Sequence, residues 1–142
     1  MKIIVCLDDH NGMMFNNRRQ SQDRKVREDM MQLSLPIMMN SYSYKMFEKG
    51  YTKNIIVQEE LPVLKEDCYL FIENQDVKTY EDQITEVIVY YWNRTYPSDL
   101  KWMIDLTSKQ WQVVSVTEFQ GSSHDNITKT VYIRNEGLTH EV

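Results

Sequence analysis

Cysteine, proline and glycine are scarce in this chain of 142 residues: two, three and four respectively. Two cysteines make no disulfide framework, and Cys6 and Cys68 have no CxxC spacing. Both lie inside apolar runs, so they read as reduced core thiols. No apolar run approaches the ~18–20 residues of a membrane span. Met1-Lys2-Ile3 starts like a signal peptide, but Asp8 and Asp9 end the apolar stretch too early for one. A cytoplasmic protein is the expectation. Basic residues are outnumbered, 16 against 21 acidic, for a formal net charge of −5. That balance argues against general nucleic-acid affinity, which needs a basic face, and it suits a basic protein partner. Catalytic signatures are missing too: no GxSxG, P-loop or GxGxxG pattern occurs. His10, His124 and His140 stand far apart with no metal-ligand spacing, so no metal is expected. Asp8-Asp9 reads as the close of a strand rather than as a paired-carboxylate metal site.

What is present suits one soluble domain over residues 1–142, with 136–142 a loose tail. The apolar fraction is 42% and the charged fraction 26%, both ordinary for a globular chain. Lys2–Leu7 is almost wholly apolar and predicts a buried strand. Asn11-Gly12 signals a turn. Val26, Met30 and Leu33 recur at near-helical spacing, which predicts a helix of about three turns over Ser21–Leu33. Ser21 is its expected N-cap, with Asp23 in the first turn. Pro36–Met39, Asn54–Val57, Cys68–Ile72 and Glu86–Trp92 read as further strands. A short helix capped by Ser41 or Ser43 and ended by Gly50 separates the first two, and a helical turn over Tyr80–Ile84 precedes the last. Strands alternating with helices imply a mainly parallel sheet. Trp111–Phe119 and Thr128–Arg134 alternate around the polar loop Gln120–Asn126 and predict an antiparallel hairpin. The fold class is therefore α/β: a mixed, mostly parallel sheet closing on an antiparallel hairpin. Met13-Met14, Met30-Met31 and Met38-Met39 come in pairs, as core filler.

The densest polar stretch runs from Asn16 to Arg24, between the first strand and the first helix. Arginine grips carboxylate or phosphate bidentately. A helix start adds backbone donors, and a strand's carboxyl end opens a crevice. An anionic small ligand is expected there, held by Asn16, Arg18, Arg19, Gln20, Asp23 and Arg24, with Tyr42 or Tyr44 covering its apolar side. The competing reading is a solvated loop whose arginines pair with local acids, Asp23 among them.

Several segments, in order, resemble the dihydrofolate reductase family. The strand ending at Asp8 and leading through Gly12 to a loop and helix is similar to that family's first strand and active-site loop. Pro36-Ile37-Met38-Met39-Asn40-Ser41-Tyr42-Ser43-Tyr44 resembles its Pro-Val-Ile-Met-Gly-Arg-x-Thr-Trp segment. Lys53–Val57 resembles its Lys-Asn-Ile-Ile-Leu strand, and Trp111 to Arg134 its closing aromatic hairpin. The resemblance implies that family's fold over nearly the whole chain, with Asp23 near the place of its pocket carboxylate. The functional positions depart. The place of the family's Gly-Gly pair reads Glu73-Asn74-Gln75, and its cofactor-phosphate Gly-Arg is Asn40-Ser41. The family's folate-carboxylate Arg falls near Thr52. The stretch between the third and fourth strands is too short for the adenosine-side strand and helix. The resemblance thus implies a shortened, degenerate scaffold with no NADPH or folate site and no cofactor.

The expectation is a non-catalytic cytoplasmic binding protein on a reductase-like scaffold. One form is an immunity or antidote protein neutralising a basic toxin such as a nuclease. The alternative is a divergent enzyme, a reductase or hydrolase, acting on an anionic small molecule.

Overall fold

The computed structural model describes residues 1–47, 54–61 and 66–135. Their elements are β1 (Lys2–Leu7), β2 (Gly12–Phe15), β3 (Arg18–Arg19), α1 (Arg24–Met31), β4 (Ile37–Met39), α2 (Ser41–Tyr44), β5 (Ile55–Val57) and β6 (Tyr69–Phe71). A 3-10 helix (Lys78–Gln83), β7 (Glu86–Tyr91), β8 (Leu100–Lys101), β9 (Trp111–Phe119) and β10 (Ile127–Arg134) follow. Seven strands make one sheet in the order β5-β4-β6-β1-β7-β10-β9. From β5 to β7 every neighbouring pair is parallel. β10 then runs antiparallel to both β7 and β9.

β1 sits at the centre because it is apolar on both faces. Ile3, Val5 and Leu7 point one way and Ile4 the other, all at 0% exposure. Such a strand is stable only where both faces are covered. Over one face lies α1, whose Val26 and Met30 pack with Ile4, Ile88 and Tyr90. The other face is filled by Met13, Met14, Trp102 and Ile104 around Val5, Leu7 and Val89. Each fully buried aliphatic side chain contributes about 1.5–3 kcal/mol. Met13, Met14, Met38 and Met39 are all buried, so these pairs are core filler, as expected. Cys6 and Cys68 are thiols rather than a disulfide. Burial raises the pKa of the Cys6 thiol, with Glu73 adding to the shift, which keeps it protonated.

Several boundaries differ from the sequence expectation. α1 spans eight residues, not the longer Ser21–Leu33, and its N-cap is Asp23 rather than Ser21. The Asp23 backbone is extended and its carboxylate accepts the Lys25 N–H at 2.8 Å. Asn40, rather than Ser41 or Ser43, caps α2, accepting the Ser43 N–H at 2.9 Å. The helical turn expected at Tyr80–Ile84 is a 3-10 helix that starts at Lys78.

The polar stretch after β1 is more ordered than expected. β2 and β3 form a tight antiparallel hairpin, Met14 opposite Arg19 and Phe15 opposite Arg18, and β8 pairs with β2's other side. Asn16 and Asn17 make the turn with φ of 51° and 59°. Two consecutive left-handed residues are the signature of a two-residue hairpin, and asparagine adopts them readily.

Among the described residues no strand or helix lies between β5 and β6, where the resemblance leads one to expect a shortened region. Gly50, Thr52, Lys53 and the tail 136–142 lie outside the described residues. No helix of the described chain is long and apolar enough to cross a membrane.

Candidate functional site

The parallel strands β4, β6, β1 and β7 end at one rim, and the polar residues of interest hang from it. Asp8, first beyond β1, is 1% exposed. It accepts from His10 N at 2.9 Å, Gly12 N at 2.7 Å, Tyr96 N at 3.0 Å and Gln20 Nε2 at 3.1 Å. Burial pushes its pKa up, but these four hydrogen bonds outweigh burial and hold it below the usual carboxylate range. Asp8 thus closes the strand and ties β1 to the hairpin and to the segment after β7.

That segment and the hairpin enclose a cleft of about 520 Å³, lined by Phe15, Asn16, Arg18, Arg19, Gln20, Tyr96 and Pro97. Four of the six expected ligand residues line it together. Three of the four are already committed. The Asn16 N–H donates to Asp99 Oδ2 at 3.1 Å. The Arg19 guanidinium donates to both Glu73 oxygens, at 2.9 and 3.0 Å, and stacks 4.6 Å over the Tyr42 ring. Gln20 is held, its Nε2 donating to Asp8 and to the Pro97 carbonyl at 3.1 Å, with its buried Oε1 left without a donor. Arg18 is open: no partner holds its exposed guanidinium among the described residues. An exposed guanidinium on the cleft lining suits a small molecule carrying an anionic group.

Asp23 and Arg24 stand apart from the cleft lining. Arg24 is exposed, pairing with Glu28 at 2.9 Å one helical turn on. Asp23 is 2% exposed and holds neither Arg18 nor Arg19. Its partners come from the β9–β10 loop: Ser122 N at 2.9 Å, Ser123 N at 2.8 Å and His124 Nδ1 at 2.9 Å. Burial alone would raise its pKa; the His124 bond, then those from Ser122, Ser123 and Lys25, hold it far below the usual range. His124 is itself buried, stacked on Trp92 at 4.6 Å between ring centres. Its Nε2 meets Ser21 Oγ at 2.9 Å and the Tyr96 hydroxyl at 3.1 Å. Ser21, His124 and Tyr96 escaped the sequence reading. The polar loop Gln120–Asn126 was visible, but nothing local pairs it with a helix start about a hundred residues earlier.

A NADP-type cofactor does not fit this rim. The place of the phosphate-approaching glycines is taken by Glu73, whose side chain is 9% exposed. Its carboxylate is held by Arg19 and by the Ser43 hydroxyl at 2.8 Å, so a paired acidic side chain stands where the resemblance leads one to expect bare backbone. Nor does Asp23 offer a free oxygen to a pterin, since five donors already occupy it.

No protein-family description matches the chain, and no curated protein does. Among solved structures it is similar to dihydrofolate reductase from Enterococcus faecalis complexed with NADP(H) and RAB-propyl. The TM-score is 0.66 at 10% sequence identity, covering 94% of this chain and 95% of that one. The chain has a dihydrofolate-reductase-like fold. At that identity the likeness concerns the dihydrofolate-reductase-like backbone alone.

Proposed function

We propose that the protein binds a small anionic molecule in the cleft beneath the β2–β3 hairpin, without a nicotinamide cofactor. The observation that carries this is the exposed Arg18 guanidinium on the lining of that cleft, without a partner among the described residues. Arg19, by contrast, is consumed by Glu73 and acts as a wall. Calorimetric titration with inorganic phosphate and with succinate tests the reading. Binding of either is expected, and Arg18→Ala should weaken it by about 1.5–3 kcal/mol, the worth of a charged hydrogen bond, with an unchanged melting temperature. Absence of anion binding, or binding indifferent to Arg18→Ala, overturns it. NADPH at micromolar concentration should leave both fluorescence and melting temperature unmoved; a clear shift would restore the reductase reading.

A second reading is an antidote protein that neutralises a basic toxin such as a nuclease. The net charge of −5 supports it. So does the open edge strand β9, which exposes Val113, Val114 and Val116 at 51%, 48% and 59%. Co-expression with such a nuclease should then rescue growth, and Val116→Lys should abolish the rescue.

A further inference from the structure

Ser21, His124 and Asp23 are arranged as a nucleophile, a base and an orienting carboxylate. Ser21 Oγ lies 2.9 Å from His124 Nε2, and His124 Nδ1 lies 2.9 Å from Asp23 Oδ2. That chain of contacts is recognised by its geometry and roles, whatever the fold and chain order. We infer that Ser21 is a nucleophile, activated by His124 and Asp23, that cleaves an ester of the anionic molecule held in the neighbouring cleft.

The hydrogen-bond network fixes the proton positions. Asp23 accepts backbone N–H groups from Lys25, Ser122 and Ser123, which hold the carboxylate ionised. An ionised Asp23 accepts only, so Nδ1 carries a proton, and in the neutral ring Nε2 is the acceptor, facing the Ser21 and Tyr96 hydroxyls. Stacking on Trp92, at 4.6 Å between ring centres, limits rotation of the ring. The whole relay is buried except at its reacting end: Asp23 and His124 are 2% and 5% exposed, while Ser21 is half-open to solvent. Ser21 follows Gln20, which lines the cleft. Tyr96, also lining it, places its hydroxyl 3.4 Å from Ser21 Oγ. The Tyr96 hydroxyl is therefore the donor at hand for an oxyanion that develops beside Ser21.

The step balances with water as the only co-reactant. Ser21 Oγ bonds to the ester carbonyl carbon as its proton passes to His124 Nε2. The bond to the alcohol oxygen breaks, and that oxygen takes the proton from Nε2. Water then attacks the acyl-Ser21, giving one proton to Nε2, which returns it to Ser21 Oγ as the carboxylic acid leaves. The substrate class, a carboxylic ester bearing a second, anionic group, rests on the anion-binding reading of the cleft. The nucleophile does not.

Diisopropyl fluorophosphate tests the nucleophile directly, since it is neutral and needs no anion site. Incubated with the full chain, it should add one diisopropylphosphoryl group at Ser21 and at no other serine, read by intact and peptide mass. Ser21→Ala should stay unlabelled. His124→Gln should label at least a hundredfold more slowly, a loss that a merely structural histidine in a folded protein would not cause. If His124→Gln does not fold, the wild-type labelling site alone decides. An unlabelled Ser21 overturns the inference and leaves the anion cleft standing. For the substrate class, a nitrophenyl ester of succinate should be cleaved at least tenfold faster than the acetate ester, a preference that Arg18→Ala should erase. Equal rates would overturn the anionic-ester assignment while sparing the nucleophile.

Discussion

The Asp23 carboxylate and the His124 imidazole, 101 positions apart in the chain, meet at 2.9 Å with both side chains buried. The contact joins the start of α1 to the loop between β9 and β10, so one residue is at once helix cap, loop anchor and hydrogen-bond partner of the imidazole. Removing its charge should be felt by all three.

Asp23→Asn keeps the shape and the capping oxygen but turns an amide toward the Ser123 N–H and His124 Nδ1. At pH 7 it should lower unfolding stability by about 1.5–3 kcal/mol. The pH dependence has a definite sign. A carboxylate whose folded pKa lies below its unfolded value, about 3.9, stabilises fully above that value and loses the contribution as pH falls through the folded one. Urea unfolding of wild type and variant should therefore show a gap at pH 7 that narrows below about pH 4. A gap independent of pH would mean that the charge of Asp23 does not stabilise the fold.

Arg19 belongs to the architecture more than to a ligand. Glu73 is 9% exposed and Arg19 21%, and the Tyr42 hydroxyl accepts the Arg19 backbone N–H at 2.9 Å. Arg19→Ala strands a nearly buried carboxylate with only the Ser43 hydroxyl. The expected cost is about 2–4 kcal/mol, toward the low side for breaking a buried pair because Arg19 is partly solvated. Arg19→Ala with Glu73→Ala should recover part of that, since the second change removes the stranded charge. Thermal melts of the two variants decide; wild-type melting of the single variant would return Arg19 to the list of ligand anchors.

The long strands were legible because their patterns are local. β1 is a continuous apolar run, and β9 was delimited to the residue by its alternation and by the polar loop after it. The β2–β3 hairpin was missed because its strands are four and two residues long, and Arg18-Arg19 carries no hydrophobic signal. The available cue was Asn16-Asn17, a pair suited to a left-handed two-residue turn. Ser21 and Asp23 are both good caps, so local chemistry left the helix start two residues uncertain. The loop decided it, because Ser122 and Ser123 bind the Asp23 carboxylate. The same long-range docking hid His124, whose role depends on residues that no local pattern connects to it. The cleft was half legible: four of six named residues line it, but which arginine stays free depends on Glu73, brought in from β6.

Gly121 is the tightest point of that docking. Its N–H donates to the His124 carbonyl at 3.0 Å, closing the loop over α1's start. A Cβ there would overlap Asp23 Oδ2 and lie 3.0 Å from both the Asp23 Cγ and the His124 carbonyl oxygen. Neither neighbour can yield cheaply. The carboxylate is pinned by five donors, and the carbonyl is backbone held by the glycine's own N–H. Gly121→Ala should therefore cost about 1–3 kcal/mol, as overpacking does. The mechanism predicts more than a loss of stability. Pushing the loop away lengthens the Asp23–His124 contact, so phosphorylation of Ser21 by diisopropyl fluorophosphate should slow in the folded variant as well. Val114→Ala, on the exposed face of β9 in the same hairpin, is the control and should leave both quantities unchanged. Urea unfolding and the labelling rate, measured on all three proteins, separate the cases. A Gly121→Ala protein as stable as wild type would mean that the loop does not rest on Asp23 as tightly as this packing requires.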